Sequence, residues 1–132
     1  MKKRIEVTGA VIVQDNKILA AKRGPGKNLS GYWEFPGGKI EVGETPQESL
    51  ARELREELEC EAIVGNHVTT TEHEYDFAII VLSTYYCTLV AGEPKLTEHE
   101  EIRWLSGTEM HELNWAPADI PAVEIIANEY SK

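Results

Sequence analysis

The chain has 132 residues, 42% of them hydrophobic, which is enough for one domain spanning 1–132 with its own core and no staples. Its formal net charge of −10 argues against a nucleic-acid polymer or a membrane surface as partner, while leaving room for a small anion bridged by cations. Cys60 and Cys87 have no metal-like spacing and read as free thiols of a cytoplasmic protein. The start "MKKRIEVTGAVIV" is unlike a signal peptide, because Glu6 interrupts an alternating run and no clear cleavage site follows. No stretch reaches the roughly 18 apolar residues of a membrane span.

In chain order, "IEVTGAVIVQ" (5–14) is β-rich and partly alternating, "DNK" (15–17) is a turn, and "KILAAKR" (17–23) is a second strand, which predicts a hairpin. "GPGKNLSG" (24–31) is a loop, and "YWEFPGGKIEVGE" (32–44) reads as short extended pieces around glycines. "TPQE" then opens a helix: Thr45 suits the N-cap, Pro46 the first helical position, and Glu48 completes a capping box. That helix is expected to run to about Leu58. Residues 61–92 predict two long strands, 101–106 another, 108–113 one helical turn, and a last helix follows Pro117 or Pro121. The order β-β-β-α-β-β-β-α predicts an α/β (α+β) domain with a mixed β-sheet between two helices. Neither a GxGxxG nor a GxxxxGK[ST] phosphate loop is present.

Within the first helix, "ARELREELEC" (51–60) places Glu53, Glu56 and Glu57 at i, i+3, i+4, where like charges repel. They also crowd its C-terminal half, where the macrodipole prefers cations. At about 100° per residue, the acids lie beside the Leu50, Leu54, Leu58 stripe, at the margin of whatever that stripe packs against. Arg52 flanks them, four residues before Glu56, in position to pair with it. A charge run is usually a solvated face. The glycine-rich "GGKIEVGE" (37–44) feeding this helix points instead to a site, since glycines let a backbone turn sharply or approach a ligand closely. Clustered carboxylates suit hard divalent cations, and two such ions could activate a water and neutralise a leaving phosphate.

Residues 38–60, "GKIEVGETPQESLARELREELEC", resemble the Nudix box, Gly-x5-Glu-x7-Arg-Glu-U-x-Glu-Glu-x-Gly-U with U apolar. Gly38 and Glu44 fill its first fixed positions, followed by Arg52, Glu53, Leu54, Glu56 and Glu57. The late glycine is replaced by Glu59, which puts the closing cap in question, because that glycine ends the helix in the left-handed conformation. The resemblance implies the Nudix fold, and hydrolysis of a nucleoside diphosphate linked to another moiety, with Mg2+ (or Mn2+). It implies Glu53, Glu56 and Glu57 as metal ligands with the Gly37 carbonyl nearby, Arg52 as a residue that orients an acid, and Gly38 and Glu44 as structural or outer-shell positions.

The stretch "GYWEFPGGKIEVGET" (31–45) and the short length resemble the MutT-type triphosphate pyrophosphohydrolases. On that resemblance Arg23 contacts phosphate, for which a guanidinium is physically apt. "WAPADIPAV" (115–123) is similar to the segment with which these enzymes read the base, and Asp119 matches bacterial CTP pyrophosphohydrolases, where enzymes acting on 8-oxo-guanine nucleotides can carry Asn. An ionised Asp119 could accept from the exocyclic amine of cytosine, and a protonated one could donate to an oxidised purine. Its alternative role is to cap the last helix. Phe35, Trp33 and Trp115 are candidates to stack on a base. In "LTEHEEIRW" (96–104) the resemblance implies an acid that joins the metal site, Glu98 first and Glu100 second, while His99 reads as a surface histidine. Glu56, Glu53 and Glu98 are the candidate general bases.

The expected substrate is a (deoxy)nucleoside triphosphate, and the expected partner a small-molecule nucleotide. The sequence says nothing of oligomeric state. ADP-ribose or another nucleoside diphosphate sugar is an alternative, but those enzymes are often longer, with a dimer-forming N-terminal extension of which this chain has almost none before Thr8. A non-catalytic nucleotide sensor is a third reading, disfavoured because sensors lose box acids and here all stand.

Overall fold

The computed structural model describes residues 2–96 and 99–131. Its elements are β1 (Arg4–Gln14), β2 (Lys17–Arg23), β3 (Trp33–Glu34), α1 (Pro46–Leu58), β4 (Glu61–Glu74), β5 (Ile79–Ala91), β6 (His99–Leu105), two 3-10 helices (Gly107–Glu112 and Pro117–Asp119), and α2 (Ile120–Tyr130). This is the order the sequence predicts. The hairpin turn between β1 and β2 holds Asp15 at φ 52° and Asn16 at φ 63°, the left-handed pair that matches the twist of a two-residue hairpin.

The strands form a mixed sheet in the order β3-β2-β1-β5-β4, with β6 on the other edge of β2. β1 runs parallel to β5, while β2, β3, β4 and β6 join by antiparallel pairs. β1 and β2 pair only at the hairpin end, Val13 with Ile18 and Gln14 with Lys17. Beyond it they splay, and residues 36–40 fill the gap. Ala10 N–H donates to the Pro36 carbonyl (2.7 Å), Thr8 N–H to Gly38 (2.9 Å), and Ile40 N–H to Glu6 (3.1 Å). The glycine-rich segment is thereby laced to the middle of the sheet.

Alternation along the strands splits the apolar residues between two faces. Ala10, Ile12 and Leu19 pack on α1 through Leu50, Leu54 and Leu58. Val11, Ile18 and Ala20 pack on α2 through Val123 and Ile126, together with Trp33, Phe35, Met110 and Trp115. A smaller cluster of Tyr75, Leu82 and Ala118 lies beside the splayed strands. The result is a sheet between two helices, as the period of the sequence required. Among the described residues, no helix is long and apolar enough to cross a membrane.

Candidate active site

α1 starts where its capping chemistry says. Thr45 Oγ1 accepts from Glu48 N–H (3.1 Å), and the Glu48 carboxylate accepts from Thr45 N–H (2.9 Å). It ends at Glu59, which takes φ 53°, ψ 40° and turns its N–H to the Leu54 carbonyl. The glycine conformation of the box survives at this position without the glycine. The cost is about 1–2 kcal/mol for a side chain in the left-handed region.

Arg52 organises the acids. Its guanidinium forks onto Glu44, Nε to Oε2 at 2.6 Å and Nη2 to Oε1 at 3.0 Å. Nη1 reaches Glu53 Oε1 at 2.8 Å and Glu56 Oε1 at 3.1 Å, and Nη2 also donates to the Lys39 carbonyl at 3.2 Å. The expected Arg52–Glu56 pair therefore exists as one arm of a larger cluster whose main partner is Glu44. The arginine contact and the Glu41 N–H that Glu44 also accepts hold its carboxyl down at about 2. The guanidinium in turn is held charged well above its ordinary range, first by Glu44.

The three box acids are not drawn to one point. Glu53 and Glu56 meet at Arg52, whereas Glu57 is buried and lines a cavity on the neighbouring side of α1. Among the described residues, no three His, Cys, Asp or Glu side chains converge as a metal cage. Gly38 faces the Glu53 carboxylate so closely that a Cβ would strike it, and a Cβ on Gly37 would strike the Thr8 carbonyl. Glycine is needed at Gly37, where the obstacle is backbone; at Gly38 a Cβ would push the Glu53 carboxylate aside. Glu98 lies outside the described residues. Glu100, the second choice, is half-exposed and pairs with Lys22 at 3.2 Å.

The cavity has a volume of about 350 Å3, within the range of ~300–1,000 Å3 usual for small-molecule sites. Gly37, Gly38, Lys39 and Glu57 line it, as do Arg23, Glu34, Phe35, Tyr75, Phe77, His99 and Asp119. Asp119 reaches it from far along the chain because residues 114–116 run beside β3. Trp33 N–H donates to Asn114 and Ala116 N–H to Trp33, at 2.9 and 2.8 Å. The Tyr75 hydroxyl then accepts from Ala118 N–H (2.8 Å) and pins the turn.

Asp119 is buried, and its Oδ2 accepts from Phe35 N–H at 3.0 Å. It makes no side-chain bond to the end of α2, so the capping role weighed from sequence is corrected: the carboxyl serves the cavity wall. Burial, reinforced by Glu34, pushes its pKa well up. Phe35 lines the cavity but is only 3% exposed, tilted against Trp115 with ring centroids 4.8 Å apart. Trp33 and Trp115 are core residues that do not line it, and the Trp115 indole N–H donates to the Met110 carbonyl at 2.7 Å.

Arg23 donates through Nε to the Asn28 carbonyl (2.6 Å) and through Nη1 to Glu34 (2.8 Å). The other oxygen of Glu34 lies 2.9 Å from His99 Nε2. His99, read from sequence as a surface histidine, has a side chain only 6% exposed. Sequence reasoning also passed over Glu34, Lys39, Lys27 and the Tyr75–Phe77 stack, whose rings lie 5.2 Å apart. Lys39 stands inside the flagged "GGKIEVGE", and Glu34 inside "YWEFPGG", so proximity to the motif was an available signal. For Tyr75 and His99 no local signal existed.

The family model for the NUDIX domain matches residues 3–124. The chain belongs to the Nudix family. It is 42% identical over 122 residues to the CTP pyrophosphohydrolase of Escherichia coli, covering 92% of this chain and 90% of that protein. It is 31% identical over 126 residues to the 8-oxo-dGTP diphosphatase of the same species, covering 93% and 95%. The solution structure of the DNA mismatch repair protein MutT, a Nudix hydrolase from methicillin-resistant Staphylococcus aureus, superposes with a TM-score of 0.80 at 58% identity, covering 98% of this chain and 99% of that one. This Nudix protein is thus a hydrolase of a family that acts on small nucleotide substrates and generally uses a divalent metal.

Proposed function

We propose that residues 1–132 form a single cytoplasmic Nudix domain that hydrolyses a (deoxy)nucleoside triphosphate to the monophosphate and pyrophosphate, with a cytosine nucleotide preferred. One observation carries the reading. A single cavity is bordered both by the box residues Gly38 and Glu57, with Gly37 just ahead of them, and by the buried Asp119–Phe35 pair. The relative named for CTP supports cytosine, and the relative named for 8-oxo-dGTP makes the oxidised purine the competing base.

The candidate donors fit a hard cation. All are oxygens, carboxylates of Glu53, Glu56 and Glu57 with Glu98 and the Gly37 carbonyl, the set that suits Mg2+ or Mn2+. A bound divalent ion supplies positive charge that neutralises phosphate oxygens and acidifies water. The rest of the chemistry belongs to the chain. Arg52 holds Glu53 and Glu56 side by side. Glu53, Glu56 or Glu98 accepts one proton of the attacking water as the water oxygen bonds to phosphorus. The P–O bond bridging the α- and β-phosphates breaks, its electron pair stays on the departing phosphate oxygen, and monophosphate and pyrophosphate result. Arg23, Lys27 and Lys39 bring cations into the cavity wall of a chain that is otherwise strongly acidic, which is how an anionic substrate is admitted. Asp119 reads the base edge and Phe35 packs against it.

The test is release of pyrophosphate against phosphate from CTP, dCTP, 5-methyl-dCTP, 8-oxo-dGTP, dGTP and ADP-ribose with Mg2+. Pyrophosphate from the cytosine nucleotides at the highest kcat/KM is the expected result. Preference for 8-oxo-dGTP would overturn the base assignment alone. Turnover of ADP-ribose only would move the protein to the sugar-nucleotide branch, and binding without turnover would make it a sensor.

A further inference from the structure

Arg23 and Glu34 share a sheet face for a simple reason. Glu34 pairs with Ala21, and Ala21 and Arg23 are two residues apart on β2. His99 should not join them. In the regular register β2 pairs Ala21 with Ile102 and Lys22 with Glu101, so Arg23 would oppose Glu100, and His99 would share the face of Glu101 and Lys22. Instead the register shifts between Lys22 and Arg23, and Arg23 opposes His99. One extra residue, Glu100, is absorbed as a bulge. Bulges re-aim side chains, and this one turns His99 to the Arg23 face.

Once there, His99 meets the oxygen of Glu34 that Arg23 leaves open. An ionised carboxylate only accepts, so the ring nitrogen facing it carries the proton. His99 Nδ1 is buried with no hydrogen-bond partner among the described residues. The ring's polar chemistry is therefore spent on Glu34. Of the five N–H donors of a guanidinium, the Arg23 contacts to Glu34 and the Asn28 carbonyl occupy two, which leaves donors for a phosphate oxygen.

We propose that His99 is a positioning residue that acts through Glu34 to hold the Arg23 guanidinium aimed into the cavity before the nucleotide arrives. The proposal rests on the reading of Arg23 as a substrate contact. Its physical gain is preorganisation: a long, rotamer-rich side chain ordered in advance loses less freedom on binding.

The test compares Arg23→Ala, His99→Leu, His99→Gln, His99→Asn and the Arg23→Ala/His99→Leu double variant by kcat and KM for CTP and 8-oxo-dGTP. His99→Leu is expected to raise KM about tenfold with kcat within about threefold, the pattern of lost ground-state binding. His99→Gln, whose amide reaches the Nε2 position, should return KM to within about threefold of wild type. His99→Asn, whose amide reaches only the Nδ1 position, should behave like Leu and serves in its place if His99→Leu does not fold. In the Arg23→Ala background His99→Leu should add nothing, because the two act as one unit. A raised KM for Arg23→Ala beside an unchanged KM for both His99→Leu and His99→Asn overturns the positioning role and leaves the proposed function standing. An additive effect in the double variant overturns it as well. An unchanged KM for Arg23→Ala overturns the substrate role of Arg23 and the positioning role with it.

Discussion

The acid face of α1 and the cavity wall proposed to face the base differ in how the chain builds them. Glu44, Arg52, Glu53 and Glu56 lie within thirteen consecutive residues and are tied by one guanidinium. The wall joins Phe35 to Asp119 across 84 positions and Glu34 to His99 across 65. A helix fixes the spacing of its side chains by its own pitch, so the chemistry common to a family can be carried in one short motif. The wall is made of loop and strand ends brought together by the sheet, where a single substitution or bulge re-aims one contact without disturbing the helix. On the proposed function, reaction and selectivity are separable because the first is local in sequence and the second is not.

The sharpest way to break this comparison is to remove an acid from α1. Glu53→Gln should lower kcat on the order of a hundredfold with every substrate alike, leaving the CTP to 8-oxo-dGTP preference unchanged. A shift in preference would show that the two regions are not separable. Asp119→Asn should do the reverse, changing the ratio of kcat/KM between those nucleotides by about tenfold while pyrophosphate release persists. The same variant has a stability signature. The folded-state pKa of Asp119 is raised, so its stabilisation is whole below its ordinary value of 3.8 and is lost as pH rises through the folded value. Asn cannot ionise, so chemical denaturation should find Asp119→Asn gaining on wild type as pH rises above 3.8 and level with it below.

The Arg52 cluster predicts the opposite slope. Glu44 is depressed from 4.5 to about 2, so its contribution is present above 4.5 and fades as pH falls toward 2. Arg52→Ala should flatten that acid limb in a urea titration repeated between pH 5 and pH 2; an unchanged limb would mean the cluster is screened by solvent. The smallest effect is at the helix end. Glu59→Gly restores the residue that the left-handed cap favours and should stabilise the fold by about 1 kcal/mol, read as a rise in Tm of a few degrees, with substrate preference untouched.

How far sequence reading went can be seen by following particular residues. The capping box at Thr45 and Glu48, the hairpin turn at Asp15 and Asn16, and the two helix-facing stripes of the sheet all stand as the pattern implied. Each depends on residues a few positions apart, and local rules of turn, cap and period are strong at that range. The Nudix box was legible for the same reason, and even the missing glycine at Glu59 left its conformation intact.

What only the tertiary structure decided is where distant segments meet. Trp33 and Trp115 are aromatic enough to stack on a base, yet the bridge that brings 114–116 beside β3 buries both in the core and brings Asp119 to Phe35. His99 sits in a run of acids that reads as solvated, yet one unpaired residue in β6 turns it inward to Glu34. The sequence by itself determined the family, the elements and the helix that carries the Nudix box, because these follow from short-range geometry. The wall around Asp119, Phe35 and Glu34 was left to the folded sheet, because a one-residue change of register moves a side chain to the opposite face and nothing within a few residues records it.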